Sequence, residues 1–588
     1  MINGSYDNYY NKTFWCFRCN VPLLTEKCYR CNGTGTYVAS DIKPVFSEER
    51  KFWEDEIEEF NENGYKLPLN LFYGRRRVVY NGQTLFTIRI DDGRIKLGKN
   101  NIDSVGSVAN RESENQFRQR MVKANEPVIR GLEKSSISFI KKMVQEHPHH
   151  KKFISFSGGK DSTVAAIVVK KAIGPTPLFF SDTTLEIPDT YKYVKEFARE
   201  YEFELITEKS HNNFFKMCDL LEPPSHIMRW CCTVFKAYPV NKFLRSISGN
   251  ILTFDGIRKA ESSVRASYPQ LYKNKKIVRQ TVARPIFVWS TLSVWMYILK
   301  RKIMYNPAYR NGYTRVGCYL CPFNSPYDDV ITKHFYPELY DRWEKVLIDF
   351  AKNHNKDLRW VDSGYWKQRK PNRKNYKVVT PKLCPMQNTY RYIFEDCSVT
   401  NDAIEFLKPF GNIDFKTSNF FQIETNNPFK LNGLVGGSSI KVTFNSDLIV
   451  KTKFRLERQI EKSMNCVACG GCIGTCPNGA ISVTDKFRID DEKCTHCLDC
   501  VDTNFTSRGC IALSFKEERK RIASSVTDSL RIDEENKRIK YYEILLSEEI
   551  SCGQREAIKR HLSRLKENNG KVEVATNEDY TLVKEHVR

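Results

Sequence analysis

Residues 153 to 168 read Phe153-Ile154-Ser155-Phe156-Ser157-Gly158-Gly159-Lys160-Asp161-Ser162-Thr163-Val164-Ala165-Ala166-Ile167-Val168. The apolar run at 153–156 predicts a buried strand, and the apolar run from Thr163 predicts a helix. Two glycines between them allow a sharp turn that brings backbone N–H groups against an anion, and the following helix aims its positive end at the same point. Lys160 adds a mobile positive charge, and Ser157 and Ser162 add hydroxyl donors. The spacing fits neither GxxxxGK[ST] nor GxGxxG. A nucleotide site is expected, with Ser157, Gly158, Gly159, Lys160, Asp161 and Ser162 around the phosphates.

On both sides of this loop, from about 116 to 390, strand-like and helix-like stretches alternate, beginning with a helical pattern from Gln116 to Gln145. Such alternation predicts an α/β domain with a parallel sheet covered on both faces. The next apolar run, Phe179-Phe180-Ser181-Asp182, ends in an acidic loop that continues Thr183-Thr184-Leu185-Glu186-Ile187-Pro188-Asp189-Thr190. Asp182 should lie at the C-terminal edge of its strand, where open α/β sheets bind ligands. Further on come Asp255-Gly256-Ile257-Arg258 with Glu261, Ser262 and Arg265, then Pro285-Ile286 with Trp289 and Trp295. The arginines suit bidentate recognition of phosphate or sulfate.

In this order, over about residues 150 to 330, these blocks resemble the phosphoadenosine-phosphosulfate (PAPS) reductase family of the ATP-pyrophosphatase superfamily. The hexapeptide is similar to that superfamily's pyrophosphate loop, and the 255–265 block to its GxRxxESxxR segment. The resemblance implies a parallel sheet of the adenine-nucleotide alpha-hydrolase-like type, with ATP and Mg2+ or a sulfonucleotide as ligand. It also implies Gly256, Arg258 and Arg265 at the anion, and Lys160, Asp161, Asp182 and Arg258 as the catalytic set.

Arg229-Trp230-Cys231-Cys232 and Cys318-Tyr319-Leu320-Cys321 make the pattern CC…CxxC. Adjacent cysteines do not easily share one zinc but can bind two irons of one cubane, so a [4Fe-4S] cluster is expected, with zinc and free thiols as the competing readings. The pattern resembles the cluster motif of assimilatory adenylylsulfate reductases, and Lys236 would share its charge with cluster and phosphate. Those reductases attack sulfur with a cysteine in a C-terminal Glu-Cys-Gly-Leu/Ile-His motif, which this chain lacks; Cys384, Cys397 and Cys552 are left as candidate nucleophiles. Their loops also tend to be degenerate, whereas this one is intact, as in superfamily members that cleave ATP to insert sulfur into tRNA or DNA.

Two further cysteine groups flank this region. Cys16-x2-Cys19-x8-Cys28-x2-Cys31 offers two thiolate pairs that close a tetrahedron around Zn2+, with a rubredoxin-like iron as competitor. Cys466-x2-Cys469-x2-Cys472-x3-Cys476-Pro477 matches the bacterial ferredoxin run, and Cys494-x2-Cys497-x2-Cys500 reaches its fourth cysteine only at Cys510. Because ferredoxins exchange the fourth ligand, Cys466, Cys469, Cys472 and Cys510 are assigned to one [4Fe-4S] cluster, and Cys494, Cys497, Cys500 and Cys476 to the other. Two such clusters would deliver single electrons.

The 588 residues exceed one ordinary core. The expected domains are a zinc ribbon at 1–40, a small β-rich module at 41–115 that loosely resembles PUA-like RNA-binding modules, and the PAPS reductase/ATP-pyrophosphatase domain at 116–390. An α+β connector at 391–455, an α+β two-cluster ferredoxin domain at 456–515 and a charged helical tail at 516–588 complete the chain. Without a signal-like N-terminus or a long apolar run, a cytoplasmic protein with no membrane partner is expected. The net charge of +23 attracts polyanions. It is sharpened by Arg75-Arg76-Arg77 and by Trp366-Lys367-Gln368-Arg369-Lys370 continuing to Arg373, Lys374 and Lys377, where aromatics interleave with cations as a nucleic-acid surface requires. The leading expectation is ATP-dependent sulfur transfer to tRNA or DNA, with sulfur-donor and electron-donor proteins as partners. The alternatives are a ferredoxin-coupled adenylylsulfate or PAPS reductase and, from another class, a non-catalytic nucleotide-binding regulator.

Overall fold

The computed structural model describes residues 11–102, 113–274, 277, 279–369, 376–379, 381–386, 389–395, 397, 399–425, 429–444, 450–502 and 510–515. The expected helical tail, Cys552 and the basic positions 370, 373 and 374 lie outside the described residues.

A six-stranded sheet carries the candidate site. Its strands lie in the order Leu205–Lys209, Leu178–Asp182, Lys151–Ser155, Ile251–Phe254, Gln280–Ala283 and Leu271–Lys273. The first five are parallel and the last is an antiparallel edge. The α/β architecture with a parallel sheet is therefore as the alternation predicted. Chain order reverses between Lys151–Ser155 and its neighbour Ile251–Phe254, and such a switch point opens a crevice at the strands' C-terminal ends. The glycine loop leaves the first of these strands at that crevice.

Helix Lys160–Ile173 buries Val164, Ala165, Ala166, Val168 and Val169, so it is apolar nearly all round and sits inside the fold. Helix Glu114–Glu146 packs along it and starts at a capping box formed by Ser113 and Gln116.

The N-terminal ribbon is a three-stranded sheet of Thr13–Cys16, Val21–Leu23 and Thr36–Ala39. It docks on the long helix: Leu24 N–H donates to Asn125 Oδ1 at 2.8 Å, and Asn125 Nδ2 donates to the Pro22 carbonyl at 2.9 Å. A five-stranded antiparallel meander follows, with strands Lys43–Pro44, Phe72–Gly74, Arg77–Tyr80, Gln83–Asp91 and Arg94–Asn100. Beyond the site domain, a six-stranded antiparallel sheet spans 381–444, and its first hairpin, Pro381–Met386 with Thr389–Phe394, straddles the boundary expected at 390. Helix Val450–Asn465 then leads into the cysteine-rich segment.

The basic run at 366–369 is not the open surface expected. Trp366 is core, Lys367 donates to Asp329 Oδ2 at 2.6 Å, and Arg369 pairs with Glu222 and is only 8% exposed in its side chain. Acidic partners far away in sequence consume these cations, which local composition could not reveal.

Candidate nucleotide and cysteine site

Gly158 takes a φ of +72°, and a Cβ there would press on Thr190 and Val194 at 3.0 Å. Ser162 Oγ donates to the Gly159 carbonyl at 2.9 Å and accepts from the Ser157 N–H at 3.2 Å, closing the loop on itself. Two residues that the sequence did not flag hold it from outside. Tyr309 Oη accepts from the Lys160 N–H at 2.9 Å, and Asn306 Nδ2 donates to the Gly158 carbonyl at 3.3 Å.

The charges beside the loop form one network. Asp161 accepts from Lys160 Nζ at 3.0 Å and from Arg258 Nε at 2.7 Å. Arg258, 1% exposed, also donates to the Trp289 carbonyl at 3.0 Å and to Thr291 Oγ1 at 3.3 Å. Burial would raise the Asp161 carboxyl, but Arg258 and then Lys160 outweigh it and hold it below the usual carboxylate range. Asp161 is thus placed as the anion that orders two cations. Arg265 pairs with Glu261, which also accepts the Arg258 N–H at 2.9 Å. Gly256 lies against the Asp161–Ser162 peptide. Asp161 and Glu261 already engage these cations, so an arriving phosphate competes with the two carboxylates for them.

Asp182 ends its strand as expected, accepting from the Thr184 N–H at 2.7 Å and from Tyr191 Oη at 3.0 Å. The loop behind it meets the cysteines. Thr183 Oγ1 donates to Glu186 Oε1 at 2.9 Å and accepts from Cys318 Sγ at 3.5 Å, while the Tyr319 N–H donates to the Leu185 carbonyl at 2.9 Å. The Cys231 thiol is pushed well up by its hydrogen bond with Cys232, then by burial, then by the charges of Cys232, Cys318 and Cys321. All four sulfurs therefore share one electrostatic neighbourhood. The Lys236 ammonium is raised, first by Cys318 and then by Cys232, Glu186 and Cys321 against the effect of burial. Glu186, 7% exposed with Oε2 buried and unpartnered, is a further polar group at the cysteines that sequence reading passed over.

Donor spacing separates the cysteine groups. A zinc tetrahedron with Zn–S of about 2.3 Å has edges of about 3.8 Å. Cys16 and Cys31 lie 3.5 Å apart, Cys28 and Cys19 3.8 Å, and the ligand atoms of Cys16, Cys19, Cys28 and Cys31 all fall within 4.8 Å of one another. Among the described residues no other quartet is so tight. The CC…CxxC thiols and the two C-terminal groups are more open, which suits cubanes whose thiolates sit on separate irons. Burial pushes Cys466 up to about 11 and Cys469 up to about 12, and the charge of Cys510 adds to both. Burial pushes Cys500 up to about 12, with Cys476, Cys497 and Cys494 adding. Cys466, Cys469, Cys472 and Cys510 thus act on one another electrostatically, and Cys476, Cys494, Cys497 and Cys500 do so as a second group. Cys397 is buried, and its thiol donates to the Phe394 carbonyl at 3.2 Å.

Residues 151–324 match the family model of the phosphoadenosine phosphosulfate reductase domain. An uncharacterized protein of Methanocaldococcus jannaschii is 37% identical over 249 residues, covering 42% of this chain and 52% of that protein. A second from the same organism is 34% identical over 264 residues, 45% of this chain and 61% of its own length. The chain therefore spans only between half and two thirds of these relatives. The adenosine 5'-phosphosulfate reductase of a Geobacillus species is 25% identical over 168 residues, 28% of this chain and 70% of that enzyme. The solved phosphoadenylyl-sulfate reductase of Candida auris is 17% identical, covering 37% of this chain and 99% of its own, with a TM-score of 0.26. No helix among the described residues is long and apolar enough to cross a membrane.

Proposed function

We propose that the chain is an enzyme that binds a nucleotide at Ser157–Ser162 and couples it to sulfur chemistry, transferring sulfur to a nucleic acid at the expense of ATP. The observation that supports coupling nucleotide and cysteine chemistry is the bond from Cys318 to Thr183, one residue beyond Asp182, which ties the CxxC segment to the loop at the end of the strand paired with the glycine loop's own strand. In this reading Lys160 and Arg258 turn from Asp161 to the phosphates of ATP bound with Mg2+. An oxygen of the acceptor attacks the α-phosphorus, the bond to pyrophosphate breaks, and a sulfur nucleophile then displaces AMP from the acceptor carbon. An iron-sulfur centre on Cys231, Cys232, Cys318 and Cys321 would supply sulfur or electrons there. The two C-terminal cysteine quartets fit a feed of single electrons from a donor protein.

Pyrophosphate release from ATP should rise when tRNA or DNA is added and should vanish in Lys160→Ala. If the protein instead frees sulfite from adenylylsulfate without consuming ATP, the second reading holds. That reading, a ferredoxin-coupled reductase, draws on the adenosine 5'-phosphosulfate reductase relatives and on the CC…CxxC quartet.

A further inference from the structure

The five-stranded meander turns three times through two-residue loops. Gly74 pairs with Arg77 across Arg75–Arg76, Tyr80 with Gln83 across Asn81–Gly82, and Asp91 with Arg94 across Asp92–Gly93. All six turn residues have positive φ: +49° and +67°, +48° and +79°, and +51° and +69°. Tight turns of this hand need that conformation, and Asn-Gly and Asp-Gly adopt it with least strain. Arg-Arg does not, because a left-handed backbone forces each Cβ against the following carbonyl oxygen. The same sheet twice uses the relaxed dipeptide and once a strained one, and strain that persists beside a relaxed alternative points to a role for the side chains.

These two arginines are also placed unlike the basic residues of the glycine-loop network and of the 366–369 run. Both are exposed, and among the described residues neither is ion-paired, whereas Lys160, Arg258, Arg265, Lys367 and Arg369 are all engaged with carboxylates. A relay of contacts links the base of the hairpin to the charge network of the nucleotide site. A Cβ on Gly74 would meet the Asp41 carbonyl oxygen at 2.2 Å, so the two backbones touch. Asp41 Oδ2 accepts from the Thr291 N–H at 2.8 Å, and Thr291 Oγ1 accepts from Arg258, which holds Asp161.

We propose that Arg75 and Arg76 clamp the phosphodiester backbone of the nucleic-acid acceptor beside the glycine loop, an inference that rests on the reading above that the acceptor is a nucleic acid. Planar guanidiniums grip phosphate oxygens in pairs, and contacts of this kind fix register without reading sequence. The clamp explains why the turn keeps two strained cations in place of Asn-Gly.

The test compares the full chain with Arg75→Asn/Arg76→Gly, using labelled tRNA and a labelled DNA duplex over a range of salt. The variant should melt at or above the parent's temperature, because the turn is relaxed. Its Kd for the better-bound probe should rise about tenfold, its salt slope should fall by roughly two, and its Kd for ATP should not move. Unchanged nucleic-acid affinity and slope in a parent that binds would overturn the clamp alone, as would an equal loss of ATP affinity. A parent that binds neither probe would overturn both the clamp and the nucleic-acid reading.

Discussion

Gly256 touches the glycine loop through the backbone: a Cβ added to it would lie 2.7 Å from the Asp161 carbonyl carbon and from the Ser162 nitrogen. Its φ is ordinary, so the position requires glycine for space. This contact presses the segment that carries Arg258 onto the loop and sets the Arg258 Nε at 2.7 Å from Asp161.

Gly256→Ala should therefore separate Arg258 from Asp161 while leaving the sheet folded. Overpacking of this kind costs about 1–3 kcal/mol. If that strain is relieved by moving the 255–258 segment, ATP affinity should fall roughly tenfold, since 1.4 kcal/mol is one decade. Calorimetric titration of nucleotide together with a thermal melt checks both parts. A variant that binds ATP like the parent would show that the close approach does not position Arg258.

Glu133 links three helices. It accepts from Lys171 Nζ at 2.5 Å, Tyr297 Oη at 2.6 Å and Arg301 Nη2 at 2.6 Å. Burial alone would raise its carboxyl, but Lys171, Tyr297 and Arg301 together hold it down at about 2, below the ordinary 4.5. The folded value is depressed, so the stabilisation is complete above the unfolded value and drains away as pH falls from about 4.5 toward 2. Solvent screening of this partly exposed ion pair leaves the drop at about 1–2 kcal/mol. Glu133→Gln should be less stable than the parent at pH 7, and the gap between them should narrow steadily below pH 4.5, with most of it gone by pH 2.5; circular dichroism melts across that range measure it.

What could be read from the sequence was local. The glycine loop and the Asp182 strand end are short motifs, and each cysteine group is built from short CC or CxxC runs. Tyr309, Asn306 and Asp41 escaped because each reaches the site from a distant segment, with nothing nearby in sequence to mark it. The same blindness produced the error at Lys367 and Arg369, whose partners Asp329 and Glu222 lie far upstream. The antiparallel sheet at 381–444 showed its strands as β-type runs, but its pairing of Thr389–Phe394 with Ile440–Phe444 spans too much chain to be inferred from pattern.

The ribbon should hold one zinc whose loss reaches the long helix. Cys31 is lowered to about 7, chiefly by the Gly33 N–H, so it is the readiest thiolate of the four, while burial pushes Cys16 up to about 12. Metal must offset the cost of deprotonating Cys16 and Cys19, and the binding energy that remains becomes folding energy. Cys28→Ser should lower zinc content by one per chain, measured by elemental analysis, and lower the melting temperature, because the ribbon's bonds to Asn125 go with it.

The two C-terminal quartets make the sharpest test of the metal reading, because chain order and spatial order disagree. Cys472 and Cys476 are neighbours in one run, yet Cys472 feels Cys469, Cys466 and Cys510, whereas Cys476 acts on Cys494 and Cys500. If each quartet holds a cubane, Cys510→Ser and Cys466→Ser should abolish the same electron paramagnetic resonance signal, although they belong to different runs. Cys476→Ser should abolish the other signal and spare the one that depends on Cys472. Each variant should lose up to four irons and retain the zinc, so elemental analysis of anaerobically prepared protein gives an independent count. A Cys476→Ser protein that lost the signal depending on Cys466 would mean that each run holds its own cluster, and the exchanged assignment would fail.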